Sequence, residues 1–218
     1  MSVAERPGTS LTVASEVGVL ERVIVHRPGP ELDRLTPANR HELLFDDVVW
    51  VERAAEEHDA LTRELRARGV EVLLLSELLA QILSEPEARA EAVQGTLRLI
   101  DPGPVLAPAL TEWLEDMPPE ELTTRLISGI TVGELPFRTS ALLAQIAPSS
   151  RFLLPPLPNH LYTRDPSAWA YGGVSLHAMS LAPRRRETLH FELIYRHHPQ
   201  FAGRGFEVWR ADKEPASS

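Results

Sequence analysis

The order strand, helix, strand within residues 20–75 is the feature that most limits the fold. Leu20 to His26 reads Leu-Glu-Arg-Val-Ile-Val-His, a buried strand rich in β-branched residues, and Arg27-Pro28-Gly29-Pro30 closes it with a turn. From Val48 onward the positions Val51, Ala54, Ala55, His58, Leu61 and Leu65 recur at steps of three and four. Glu52, Arg53, Glu56, Glu57 and Arg63 fill the other face, so the stretch predicts an amphipathic helix. Asp46 or Asp47 can cap its start, and Gly69 supplies a left-handed stop before a second strand, Val70 to Leu75. This succession is an α/β signature.

The character changes after Ser76. Leu78, Leu79, Ile82 and Leu83, then Ala109 to Leu114, Leu122 to Ile127 and Ala141 to Ile146, form short helical patterns split by Pro86, Pro118-Pro119 and Pro136. They predict a small helical subdomain inserted between strands, ending near Ala147. Ser149 to Leu154 returns to a strand-like run, and Pro155-Pro156-Leu157-Pro158 then forces an extended, irregular approach to Asn159. Trp169 to Leu176 reads as a further strand, with Gly172-Gly173 permitting a bulge or a close backbone approach.

Composition removes several function classes. The 218 residues include no cysteine, which excludes disulfides, thiolate metal sites and a thiol nucleophile among them. A formal charge of -9 argues against nucleic acid as a partner, because that affinity depends on neutralising phosphates with Lys and Arg. The apolar run Val72 to Leu75 is far shorter than the roughly 18 to 20 residues of a membrane span. Residues 1–15 carry Glu5, Pro7 and Ser10 and lack the pattern of a secretory signal. No membrane association is expected, and the cytoplasm is the expected location.

The chemistry concentrates in Leu157-Pro158-Asn159-His160-Leu161-Tyr162-Thr163-Arg164-Asp165-Pro166-Ser167-Ala168-Trp169 and in Arg184-Arg185-Arg186-Glu187. A carboxylate on a rigid loop suits a guanidinium, since two oxygens match two parallel N–H groups. Asp165 is the candidate, with a salt bridge to Arg164 or a cap on the turn at Pro166 as its structural alternatives. Arg184 can offer a fork to a carboxylate, although an Arg-Arg-Arg run also reads as a solvated basic face. Asn159 fits a turn after Pro158, and Leu44 fits core or loop packing. His190, His197 and His198 lack a metal-ligand spacing, so no metal is expected.

The chain resembles the arginine deiminases, a family of guanidino-group modifying enzymes. Ser15-Glu16-Val17-Gly18, Val23-Ile24-Val25-His26-Arg27-Pro28-Gly29, Leu35-Thr36-Pro37, Glu42 through Trp50 and the segment around Asp165 look like successive family motifs in family order. His198-Pro199-Gln200-Phe201-Ala202 and Phe206-Glu207-Val208-Trp209 resemble the family too. Tyr162 stands where Phe is common, and His177-Ala178 where Asn-Pro is common.

The resemblance implies an incomplete five-bladed α/β propeller, pentein-like. Residues 1–75 would form its first part, 76–147 the inserted helical subdomain, and 148–218 the continuation with the substrate-site loop. The implied reaction is hydrolysis of L-arginine to L-citrulline and ammonia, without cofactor or metal. A Cys thiolate attacks the guanidinium carbon, a His protonates departing ammonia, and water cleaves the covalent intermediate. Asp165 would be the catalytic carboxylate gripping the guanidinium. Asn159 and Arg184 would hold the α-carboxylate end, Leu44 would pack over the substrate, and Tyr162 would add a hydroxyl to an aromatic wall. The Glu-Gly-Gly-Asp motif, the His motif and the Cys belong to family segments expected beyond Ser218, so the chain is expected to be either completed by a separate chain carrying the missing C-terminal part or cut short as a gene fragment. Inactivity of this chain alone follows. The alternative is a non-catalytic remnant or an arginine-binding regulatory module.

Overall fold

A computed structural model of the protein describes residues 11–138 and 147–210. Strands β1 (Arg22–Val25) and β2 (Glu71–Leu74) pair in parallel, with Val23 opposite Val72. Parallel neighbours need a crossover, and helices α1 (Pro30–Asp33) and α2 (Val51–Ala67) lie in it. Helix α2 buries Ala55, His58 and Thr62 at the expected period, and Gly69 follows it with φ of 80°. The cap differs from expectation. Trp50 holds the N-cap position with no side-chain cap, because Asp47 Oδ1 instead accepts from the Val48 N–H (2.8 Å) and Arg40 Nη1 (3.2 Å).

Leu75 leads straight from β2 into α3 (Leu75–Leu83), followed by α4 (Pro86–Ile100), α5 (Ala107–Glu115) and α6 (Pro119–Ser128). Pro86 and Pro119 open their helices, where the missing N–H has no partner to lose. The hydrophobic pattern does not announce α4, since it buries mainly small side chains: Ala88, Ala92, Val93, Gly95 and Thr96 besides Leu97. Gly95 is small for a reason. A Cβ there would sit 2.9 Å from the Leu189 side chain of the neighbouring helix. The expected pattern Ala141 to Ile146 lies outside the described residues.

Strand β3 (Ile130–Thr131) pairs antiparallel with β4 (Phe152–Leu154). Residues 158–161 then form a 3-10 turn, where an irregular approach is expected from sequence. The single strand expected over Trp169 to Leu176 is a hairpin, β5 (Ser167–Ala170) and β6 (Gly173–Leu176), joined by Tyr171 at φ of 48° and Gly172. Gly173 does permit a close approach, because a Cβ there would lie 2.7 Å from the Trp209 ring. Helix α7 (Arg185–His197) crosses over to β7 (Glu207–Arg210), which pairs parallel with β6. Trp169 Nε1 donates to the Tyr195 hydroxyl (3.2 Å), which also bonds Ser167 Oγ (2.6 Å), and this fastens the hairpin to α7.

The fold is thus mixed α/β, with sheets of two, two and three strands among the described residues. One apolar core runs from Leu79 and Leu83 through Val93, Leu122 and Leu126 to Leu154, Val174 and Ile194. A smaller cluster joins Leu32, Leu35 and Leu43, with Phe45, Val49 and Val51 against it. No described helix is long and apolar enough to cross a membrane.

Candidate functional site

Pro158 opens the 3-10 turn and places Asn159 inside the protein. The Asn159 Nδ2 donates to the Leu43 carbonyl at 2.7 Å. Leu44, next in the chain, has φ of 63°, a left-handed conformation that strains a bulky residue by about 1–3 kcal/mol. Backbone bonds from Leu44 N–H to His41 (3.2 Å) and Phe45 N–H to Arg40 (2.8 Å) hold the same turn. Two candidate residues far apart in sequence, Asn159 and Leu44, therefore share one support.

Asp165 is fixed by its backbone and engaged by its side chain. Its N–H bonds to the Tyr162 carbonyl (3.0 Å), and its own carbonyl lies 2.6 Å from His177 Nδ1, a bond that requires the proton on that nitrogen. The neighbouring-residue alternative does not hold, since Arg164 pairs with Glu16 at 2.7 Å. Asp165 Oδ2 instead accepts from Arg184 Nη1 at 3.0 Å. Arg184 closes the 3-10 turn Ala182–Arg184, and its other edge faces Glu187: Nε to Oε1 at 3.0 Å and Nη2 to Oε2 at 2.8 Å.

The solvated-basic-face reading of the arginine run is corrected. The Arg184 side chain is only 12% exposed, and Arg186 is wholly buried; Arg185 alone is exposed. Burial pulls the Arg184 guanidinium down, but its bonds to Glu187 and Asp165 outweigh this and hold it above its ordinary value. Burial pushes the Glu187 carboxyl up, and the Arg184 bonds oppose that shift. Arg186 donates to the Leu126 carbonyl (2.9 Å) and to that of Pro155, and burial lowers it to about 9.

Two histidines that sequence reasoning did not assign brace the site from below. His160 Nε2 and His190 Nδ1 lie 2.8 Å apart, both fully buried, with stacked rings. Burial pulls His190 down to about 3 and His160 well below its usual value, so both are neutral, one donating and the other accepting. His160 adjoins Asn159 and His190 lies on α7 beyond Arg184, so this bond ties both halves of the site together. His26, bonded to Glu31 (3.1 Å), lies beside His160. His197 and His198 bond Glu91 and Gln81. Among the described residues no group of three or more His, Asp or Glu is placed to hold a metal ion.

The structure brings together Asp165 with Arg184, and Asn159 with the Leu43–Leu44 turn. Tyr162 links the pairs by backbone bonds to Asn159 (2.9 Å) and Asp165, while its side chain is half exposed. No side-chain hydrogen bond joins the two pairs directly among the described residues. The result is a mixed α/β protein with a loop carboxylate that already holds a guanidinium, its own. The family model for arginine deiminase matches residues 41–217, and the chain belongs to the arginine deiminase family.

Proposed function

We propose that the chain binds L-arginine at the Asp165 loop, and that arginine hydrolysis there requires groups from outside these 218 residues. The observation that carries this reading is the Asp165 carboxylate on a braced loop, bonded to a guanidinium at 3.0 Å, within the family-matched segment. Asp165 takes the substrate guanidinium through a charge-assisted pair. Arg184 and Asn159 meet the α-carboxylate end, while Leu44 and Tyr162, both partly exposed, line the aliphatic stem.

The reaction is L-arginine plus water to L-citrulline plus ammonia. A thiolate adds to the guanidinium carbon, a general acid gives ammonia its proton, and water breaks the carbon–sulfur bond to release citrulline and return the thiol. Asp165 keeps the cation oriented for attack, which is catalysis by positioning. The sequence contains no cysteine, so a second polypeptide or further residues supply the nucleophile. The fold reading is an incomplete five-bladed propeller, with propeller parts at 1–75 and 148–218 and inserted helices at 76–147. Family membership and the strand, strand, helix, strand unit of residues 167–210 support it.

The missing thiol favours one rival: a non-catalytic arginine-binding module. A citrulline assay separates them. The purified chain should produce none above background, and adding an arginine deiminase segment with its Cys and His should restore turnover. Citrulline formed by this chain alone, and lost in Asp165→Ala, contradicts the proposal. Arginine binding with no turnover under any complementation establishes the rival.

A further inference from the structure

The Arg184 guanidinium stands on the carboxylate that the proposed function assigns to a ligand guanidinium. Three of its N–H contacts are accounted for: Nε and Nη2 on Glu187, and Nη1 on Asp165 Oδ2 at 3.0 Å. Glu187 lies on the first turn of α7 and is wholly buried, whereas half of the Asp165 side chain meets solvent. The two contacts therefore differ in permanence. A buried carboxylate facing the Nε–Nη2 edge is a fixed anchor, and the half-exposed pair with Asp165 is screened and exchangeable. A guanidinium so held is pre-organised at low entropic cost, because its fork is already oriented.

We propose that Arg184 is a built-in guanidinium competitor on Asp165, and that Glu187 is the positioning residue that presents it there. An entering arginine displaces only the Nη1 contact, and the Arg184 guanidinium stays on Glu187 with that nitrogen free to meet the ligand's α-carboxylate. A guanidinium ligand without a carboxylate displaces the same contact and receives nothing in return. The arrangement thus selects for ligands carrying both groups, and it rests on the proposed arginine site.

Agmatine tests this, since it keeps the guanidinium and lacks the carboxylate. Its affinity, and that of L-arginine, are measured by calorimetry on the full chain and on Arg184→Ala. Arg184→Ala leaves Glu187 buried without a partner, so the double variant R184A/E187Q carries the test if the single one does not fold. Removing the competitor should strengthen agmatine binding by about three- to tenfold, the factor by which the free Asp165 population rises. Arginine should gain less or lose affinity, because it forfeits the carboxylate contact. A packing role for Arg184 would produce no gain, and a gain that vanishes in about 0.5 M salt, where like-charge repulsion is screened, is a charge effect and overturns the competitor. Agmatine bound equally or more weakly by the variant, with Asp165→Ala still abolishing arginine binding, overturns the competitor and leaves the arginine site standing. Agmatine and arginine bound indifferently to Asp165→Ala, or by no form, overturn both.

Discussion

The Asn159 side chain donates to the Leu43 carbonyl across 116 positions of sequence and thereby holds Leu44 at φ of 63°. The bond and the strained residue form one device. Asn159→Ala removes a buried donor and leaves the carbonyl unpaired, which should destabilise the protein by about 1–3 kcal/mol in urea denaturation. Leu44→Gly relieves the left-handed strain at the same turn and should hold or raise stability by up to about 1 kcal/mol. Equal losses in both variants would show that the turn stores no strain.

Arg186 should prove a structural residue. Its planar guanidinium spans the Leu126 and Pro155 carbonyls, near the Gly129 turn where a Cβ would fall 2.4 Å from the Leu154 carbonyl. A lysine ammonium cannot bridge both acceptors in that geometry, so Arg186→Lys should cost about 2 kcal/mol or more. Thermal unfolding checks it. A stable Arg186→Lys protein contradicts the bridge.

Acid should weaken the fold through the neutral pair His160 and His190. Their ordinary value is 6.5, whereas in the folded protein His190 sits at about 3 and His160 well below 6.5. The unfolded chain takes up protons as pH falls below about 6.5 while the folded pair does not. Their contribution is therefore complete above that pH and is lost as pH falls, down to about 3 for His190, at about 1.4 kcal/mol per pH unit for each proton the unfolded chain gains. Urea midpoints at pH 7.5 and pH 5 should show the fall, and H160L/H190L should flatten it. An unchanged slope in that double variant would assign the acid sensitivity elsewhere.

The parts of the fold legible in sequence are those where burial follows hydrophobicity. β1, α2 and β2 emerge from β-branched runs, a three-to-four period and Gly69. Helix α7 does not, because it buries Arg186, Glu187 and His190 along with Phe191 and Ile194, and polar residues in that number read as a surface. The hairpin is hidden as well, since Tyr171 at φ of 48° carries none of the usual turn chemistry. At the site, family motifs point to Asp165, Arg184 and Asn159. Their partners Glu187, His177 and the Leu43 carbonyl are fixed only by tertiary contacts, and no spacing announces those.

The most direct test of the account is calorimetric titration of L-arginine into the full chain and into Asp165→Asn, which keeps the side chain's shape and removes its charge. Circular dichroism confirms that both are folded. The unaltered chain should bind arginine measurably and the variant should lose at least about tenfold in affinity, because a charge-assisted pair becomes a neutral one. Equal dissociation constants for the two proteins would contradict it.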